Sequence, residues 1–396
     1  MAVHADAAKS NLPDCALSAG GDFVASLNIN GIIDETEKFP SFREPREIGQ
    51  FSLVGSEREY REGCDQLKYL HMPSHRHRLM WDLNRGYEQA IRKEQEDSRE
   101  KLDNLLRWIM ANKAKFAVNS AAQPAQPHDS ASLHTDFVCY RGLLTKLACT
   151  PYEAKEDWLV AATLFRGTTY LYAFPTEAEK ARNAAQTPRQ DRMTFWGRKF
   201  EQYMVTGQPG VPPDTNAQVN EREEFCVVAR CRLEAHSLVL GAEVDCRDPR
   251  ATPSAHRPGS TSAYVELKTS RDCLSERQYQ SFCRFKLLKW WAQSFLVGIP
   301  RVLCGFRDDD GKVGTIEELS VREMPHRAKG LWSGAVCMNF CNRMLSFIKK
   351  CVTEDDPKVV HLFRFLPSSR DVVCIRLPKP GDFQILPPWY LDSFGL

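Results

Sequence analysis

Two short β-rich segments carry the residues best suited to chemistry. GAEVDC (241–246) holds Glu243 and Asp245, and YVELK (264–268) holds Glu266 and Lys268. Side chains alternate along a strand, so Glu243 and Asp245 share one face, with Val244 turned away. The same arithmetic pairs Glu266 with Lys268 and turns Leu267 to the other side. Set side by side, the two strands collect three carboxylates and one ammonium on a single sheet face. Half-buried like charges repel and raise one another's pKa unless a cation lies between them. Ligand sets made only of oxygen select hard cations, so Mg2+ or Mn2+ is expected rather than zinc. Two such ions, about 3.5 to 4 Å apart, activate a water and stabilise the leaving oxygen in phosphoryl hydrolysis. Lys268 would then face the scissile phosphate or the attacking water.

A lone Glu-x-Lys strand is more often an exposed sheet face with ordinary salt bridges. The Glu-x-Asp strand just before it, and two helical segments, shift the balance toward a site. GRKFEQY offers Glu201 as a fourth carboxylate, with Gly197 one turn earlier allowing close packing against strands. KLLKWWAQSFL places Lys286, Lys289 and Gln293 on one helix face by their i, i+3, i+7 spacing. Phe285, Leu288, Ala292 and Phe295 fall on another. A basic stripe beside an acidic metal site suits a polyanionic substrate. Taken singly, Glu201 is a solvated helix glutamate and the lysine stripe the wet side of an amphipathic helix.

Taken together, these residues resemble the decapping and exoribonuclease family (DXO/Dom3Z), with its fungal nuclear-exonuclease-partner relatives. WGRKFEQY fits the family's G-h-x-h-E pattern at Gly197 and Glu201, GAEVDC its E-h-D pattern, and YVELKTS its E-h-K pattern. KLLKWWAQSFL carries the matching Gln293 and YRGLLTK the matching Arg141. The likeness extends to REIGQFSL with Arg58, EKLDNLLRW with Glu100, VCMNFC and LPPWY, covering most of the chain from about residue 36. The resemblance implies an active site like that of D-(D/E)-x-K nucleases. In it Glu201, Asp245, Glu266 and the Leu267 carbonyl would ligate metal, Glu243 would act through a water or the substrate, and Lys268 and Gln293 would hold the reacting phosphate. It further implies that Tyr140, Arg141, Gly142, Arg58 and, least specifically, Glu100 contact the RNA 5′ portion. Many relatives have tryptophan at the position of Tyr140, and the aromatic surface is kept here.

The implied activities are removal of incomplete caps, NAD caps and 5′ triphosphate or pyrophosphate from single-stranded RNA, followed by 5′→3′ degradation. The implied location is the nucleus, with the cytoplasm as a second compartment. A second reading is a non-catalytic scaffold that binds RNA ends and stabilises a nuclear 5′→3′ exonuclease partner. A third is an enzyme acting on DNA.

The elements that must position these residues are legible in outline. The 396 residues are 42% hydrophobic and 26% charged, the balance of a globular protein, and 53 Lys plus Arg nearly cancel 51 Asp plus Glu. Any basic surface must therefore be local. No apolar run is long enough for a membrane span, and the start MAVHADAAKSNLPDC lacks a signal-peptide stretch, so no membrane partner and no secretion are expected. The 14 cysteines include no CxxC pair, and the one-turn spacing of Cys337 and Cys341 without a nearby histidine argues against zinc.

Residues 1–20 read as a loose terminus and about 117–132 as a low-complexity surface loop. FPSFREPREIGQFSL reads as irregular, broken by proline. A long helix is expected from Tyr87 to about Phe116 and β strands in FVCYRGLLTKLAC, WLVAATLFRG and TTYLYAF. A polar linker is expected near 176–190, then a helix in TFWGRKFEQYMV and a loop around 207–222. FCVVARCRL, SLVLGAEVDCR, SAYVELKTS, RVLCGFR and VVCIRL follow as strands, with helices over 275–297 and 329–350. The expected architecture is a single α+β domain over 21–396, built on a mixed or antiparallel sheet flanked by helices.

Overall fold

The computed structural model describes residues 21–94, 100–116, 132–251 and 258–394. The expected loose terminus and most of the low-complexity loop lie outside them. The fold is α+β and carries two sheets. In spatial order the larger runs β1 (Asp22–Asn28), β17 (Asp371–Arg376), β16 (His361–Leu366), β7 (Trp158–Phe165), β8 (Thr168–Phe174), β6 (Phe137–Tyr140), β11 (His236–Glu243), β10 (Glu224–Leu233), β2 (Phe42–Val54) and β3 (Glu59–Glu62). The smaller runs β5 (His77–Asp82), β15 (Lys312–Ser320), β14 (Arg301–Arg307), β13 (Tyr264–Arg271), β12 (Cys246–Arg247), β4 (Tyr69–Leu70) and β9 (Val205–Thr206). Both are mixed: β6 is parallel to β8 and β11, and β13 is parallel to β14, among antiparallel neighbours.

The central strands of the large sheet are apolar on both faces because both are covered. Phe137 and Cys139 face a core shared with α2 (Arg141–Cys149), α6 (Leu288–Phe295) and α7 (Gly334–Cys351). Val138, between them, faces a second core formed with α1 (Asp103–Ala111) and Tyr390. Against the small sheet lies α4 (Pro188–Met204), whose start is fixed by a Thr187/Gln190 capping box with proline in its first turn. It buries Phe195, Trp196 and Phe200 there. A Cβ on Gly305 of β14 would sit 2.4 Å from the Phe200 ring, so the glycine is what lets this helix approach. Among the described residues no helix is long and apolar enough to cross a membrane.

Several sequence expectations are corrected. The 87–116 stretch is not one helix: its described residues hold 3-10 turns at Tyr87–Gln89 and Lys113–Phe116, a bridge at Ile91 and the short α1. The run from Phe137 leaves the sheet at Tyr140 and becomes α2, because Leu143, Leu144 and Leu147 recur at helical spacing toward the core. The proline-broken stretch is β2, with Pro45 sitting at a break in register opposite Arg230 and Arg232. The supposed linker contains α3 (Glu177–Ala184), started by Thr176 accepting from the Glu179 N–H, a T-x-x-E signal present in the sequence.

Candidate active site

The site lies where one chain segment crosses between the sheets. β11 ends at Glu243, the Val244 N–H donates to the Phe225 carbonyl at 3.0 Å, and by Cys246 the chain has joined the small sheet. Cys246 and Arg247 pair with Val265 and Tyr264 of β13. Glu243 and Asp245 are therefore not two residues of one flat strand; Asp245 meets β13, while Glu243 meets Arg198 of α4. Asp245 Oδ2 accepts the Leu267 N–H at 2.6 Å, which ties the crossover to the centre of β13.

Glu266 is the hub. Its side chain is 1% exposed, and both carboxylate oxygens are held. Lys268 Nζ and Gln293 Nε2 donate to Oε1 at 2.6 and 2.8 Å, and Arg141 Nη1 donates to Oε2 at 3.2 Å. Strand alternation supplies Lys268, α6 supplies Gln293, and the strand-to-helix switch at the start of α2 supplies Arg141. Glu201 on α4 and Glu243 share a different cation: Arg198 Nη1 lies 3.2 Å from Glu201 Oε2 and 2.8 Å from Glu243 Oε1.

Arg198 escaped the sequence reading. Its position three residues before Glu201 on a helix was a usable signal, but its tie to Glu243 was not. Gly197 does not serve the close packing expected of it, since a Cβ there would meet nothing within 4 Å.

The electrostatics separate the four carboxylates. Burial pushes Asp245 well above the usual carboxylate range, and Glu266 and Glu201 push it further. Burial also raises Glu201, with Glu243 adding to the effect against Arg198. Burial works on Glu266 in the same direction, but Lys268 and Arg141 outweigh it and hold its pKa below normal. Against the same effect of burial, Arg198 holds Glu243 down at about 2. Desolvation would lower Lys268, yet Glu266 and Asp245 raise it, so it stays an ammonium.

Among the described residues Asp245 is held by a neutral donor, the Leu267 N–H, whereas the other three acids are each held by a cation, and further positive charge at this point would relieve it. Oxygen donors of this kind fit a hard divalent ion. Among the described residues no three His, Cys, Asp or Glu side chains converge as a ready metal cage; Arg198 lies on Glu201 and Glu243, and Lys268 on Glu266. Arg198, Glu201, Glu243 and Asp245 line a cavity of about 510 Å³, together with Gln66 and Glu224.

The remaining predicted residues surround this core. Arg58 is buried and committed to Glu100 (3.1 and 3.0 Å) and to Glu224 Oε1 (3.1 Å), so the expected pair meet each other and reach the cavity rim through Glu224. The Tyr140 ring covers Gly241, where a Cβ would come within 2.8 Å of it. Gly142, in the first turn of α2, lines a second cavity of about 370 Å³ with Lys146 and Lys289.

The family model described as RAI1-like PD-(D/E)XK nuclease matches residues 43–391. The chain belongs to that family. It is thereby a hydrolase of phosphodiester bonds, and the sequence Glu266-Leu267-Lys268 fits the (D/E)XK pattern in that family's name. The nuclease is 40% identical over 361 residues to the decapping and exoribonuclease protein of Xenopus laevis, covering 90% of this chain and 87% of that one. It is 39% identical over 359 residues to the human protein of that name, covering 90% and 86%. Its fold is that of Candida albicans Rai1 solved in complex with pU5-Mn2+, with TM-score 0.79 at 20% identity over 93% of this chain and 98% of that one. Scheffersomyces stipitis Rai1 gives 0.76 at 23% identity, covering 91% and 99%.

Proposed function

We propose that this nuclease is a metal-dependent hydrolase of RNA 5′ ends. It removes incomplete caps, NAD caps and 5′ pyrophosphate from single-stranded RNA, degrades the body 5′→3′, and works in RNA quality control in the nucleus. The observation that carries the reading is Asp245, a half-buried carboxylate pressed by Glu266 and Glu201 beside an open cavity. Its support from relatives is the decapping and exoribonuclease activity for which the Xenopus and human proteins are named and the pU5-Mn2+ complex of the Candida one.

Glu201, Asp245, Glu266 and the Leu267 carbonyl would hold Mg2+ or Mn2+, with Glu243 acting through a water or the substrate. Bound there, two such ions supply a nucleophilic water and stabilise the leaving oxygen. Lys268 and Gln293, now on Glu266, exchange that carboxylate for the scissile phosphate and fix it for attack. Arg141 keeps Glu266 ionised from the opposite side. Tyr140 and Gly142 flank the 5′ nucleotide, and the Arg58–Glu100 pair braces the rim through Glu224. One phosphate-centred site of this kind serves several 5′ linkages.

The test is a panel of RNAs differing only in the 5′ end, with products identified at fixed Mg2+. The protein releases the 5′ group from at least one, and Glu243→Ala with Asp245→Ala abolishes release. Unchanged release by the double variant would sink the site. No release from any end, together with enhancement of a co-purifying exonuclease, would replace the enzyme by a scaffold. Equal hydrolysis of the matching DNA would remove the RNA assignment.

A further inference from the structure

The helix that brings Gln293 to Glu266 carries an irregularity. Between α5 (Glu276–Ser281) and α6 the backbone makes a π turn, Phe282–Leu287. Buried residues recur there after five positions, Phe282 and Cys283 and then Leu287 and Leu288, instead of three or four. An extra residue per turn rotates whatever lies inside it, and such turns occur frequently at functional sites. Here it turns Phe285 away from the buried side it was expected to share with Leu288. Phe285 is 55% exposed.

Its surroundings are cationic. The Arg284 guanidinium lies 5.5 Å from the Phe285 ring centre, and Lys286 and Lys289 are exposed on the same stretch. Among the described residues none of these three cations forms an ion pair with a carboxylate. Phe285, Lys289 and Gln293 recur at i, i+4, i+8, which puts them along one side of the helix, ending at the 2.8 Å bond from Gln293 to Glu266. At the helical rise, Phe285 stands about 12 Å along the axis from Gln293. Desolvation, with Arg307, Lys268 and Lys289 nearby, pushes the Lys286 ammonium down, so an arriving anion is favoured there.

We propose that the π turn presents Phe285 as a stacking platform for a base of the RNA body, with Lys286 and Lys289 taking the adjoining phosphates. The chain then leaves the acidic cluster along this helix. Aromatic rings beside unpaired cations are the usual elements of a single-strand track. The inference rests on the RNA reading above and names the path the RNA takes from that site.

Binding of 5′-phosphorylated oligouridylates of two and ten nucleotides, followed by fluorescence anisotropy in EDTA, tests it apart from catalysis. Phe285→Ala weakens the ten-mer at least about five-fold, the lower end for one lost base stack, and weakens the dinucleotide less. Phe285→Trp restores the ten-mer. Lys289→Ala lowers the salt dependence of ten-mer binding by about 0.7 in log–log slope, one phosphate contact. An unweakened ten-mer, or the same penalty at both lengths, overturns the track. Hydrolysis of 5′ ends in Mg2+ is scored separately: a protein that binds through Phe285 but cleaves nothing keeps the track and loses the enzymatic reading.

Discussion

Arg198 bridges Glu201 and Glu243, lying 3.2 Å from one carboxylate and 2.8 Å from the other. A guanidinium thus occupies the gap between two of the four acids. It acts as the local counter-charge of this pair. Glu243 raises Arg198 well above its ordinary pKa, with Glu201 adding to it, so the guanidinium stays charged.

If Arg198 stands in for a metal ion, Arg198→Ala leaves Glu201 and Glu243 facing each other, and the metal-free protein melts earlier. Mg2+ then restores more stability than it adds to the wild type, since a ligand that binds only the folded state stabilises by mass action. Thermal melts with and without Mg2+ measure this. Equal Mg2+-induced shifts in the two proteins would show that Arg198 and metal do not compete.

Lys268→Ala removes the ammonium that the proposed mechanism transfers from Glu266 to the phosphate, while leaving the carboxylates in place. Turnover falls by about 10²- to 10³-fold, the range for losing one preorganised electrostatic contact. The Mg2+ concentration for half activity changes little. Unaltered turnover would take the lysine out of the mechanism.

Arg141 and Glu266 are a buried pair, their side chains 7% and 1% exposed. Arg141→Ala costs about 3 kcal/mol, the low end for breaking a buried pair, because Lys268 and Gln293 still hold Glu266. Urea denaturation measures the cost, and adding Glu266→Gln recovers part of it by neutralising the carboxylate whose Oε2 has lost its donor. A loss that the second change deepens would place Arg141's role outside this pair.

Asp248 sits just beyond the crossover and receives Arg250 Nε at 3.2 Å together with Arg301. Burial pushes its carboxyl up, but Arg250 and Arg301 more than offset this and hold it at about 2. A folded pKa below the ordinary value of 3.8 contributes stability that is present above that value and lost as pH falls toward 2. Urea midpoints measured from pH 5 to pH 2 therefore fall less steeply for Asp248→Asn. Parallel curves would show that Asp248 adds no acid sensitivity.

The sequence alone placed Glu266 and Lys268 on one side of a strand and Glu201 on a helix, because alternation and helical period are properties of the backbone. It also marked Gln293 and its neighbouring lysines as one helical stripe. Tertiary structure decided how these meet. GAEVDC was expected to be one strand, but it changes sheets between Glu243 and Cys246, because pairing partners are chosen by distant strands rather than by the local pattern. The apolar run at Phe137 suited strand and helix alike, and only packing beneath the sheet made it turn at Arg141.

Arg198 and Glu243 are 45 residues apart, and no periodicity connects them. The π turn exposing Phe285 is likewise set by how many residues the core demands per turn. Residue types and local spacing determined which chemistry this chain carries. Long-range packing determined which cation answers each carboxylate, because charge pairing depends on distance in space and on the water excluded there.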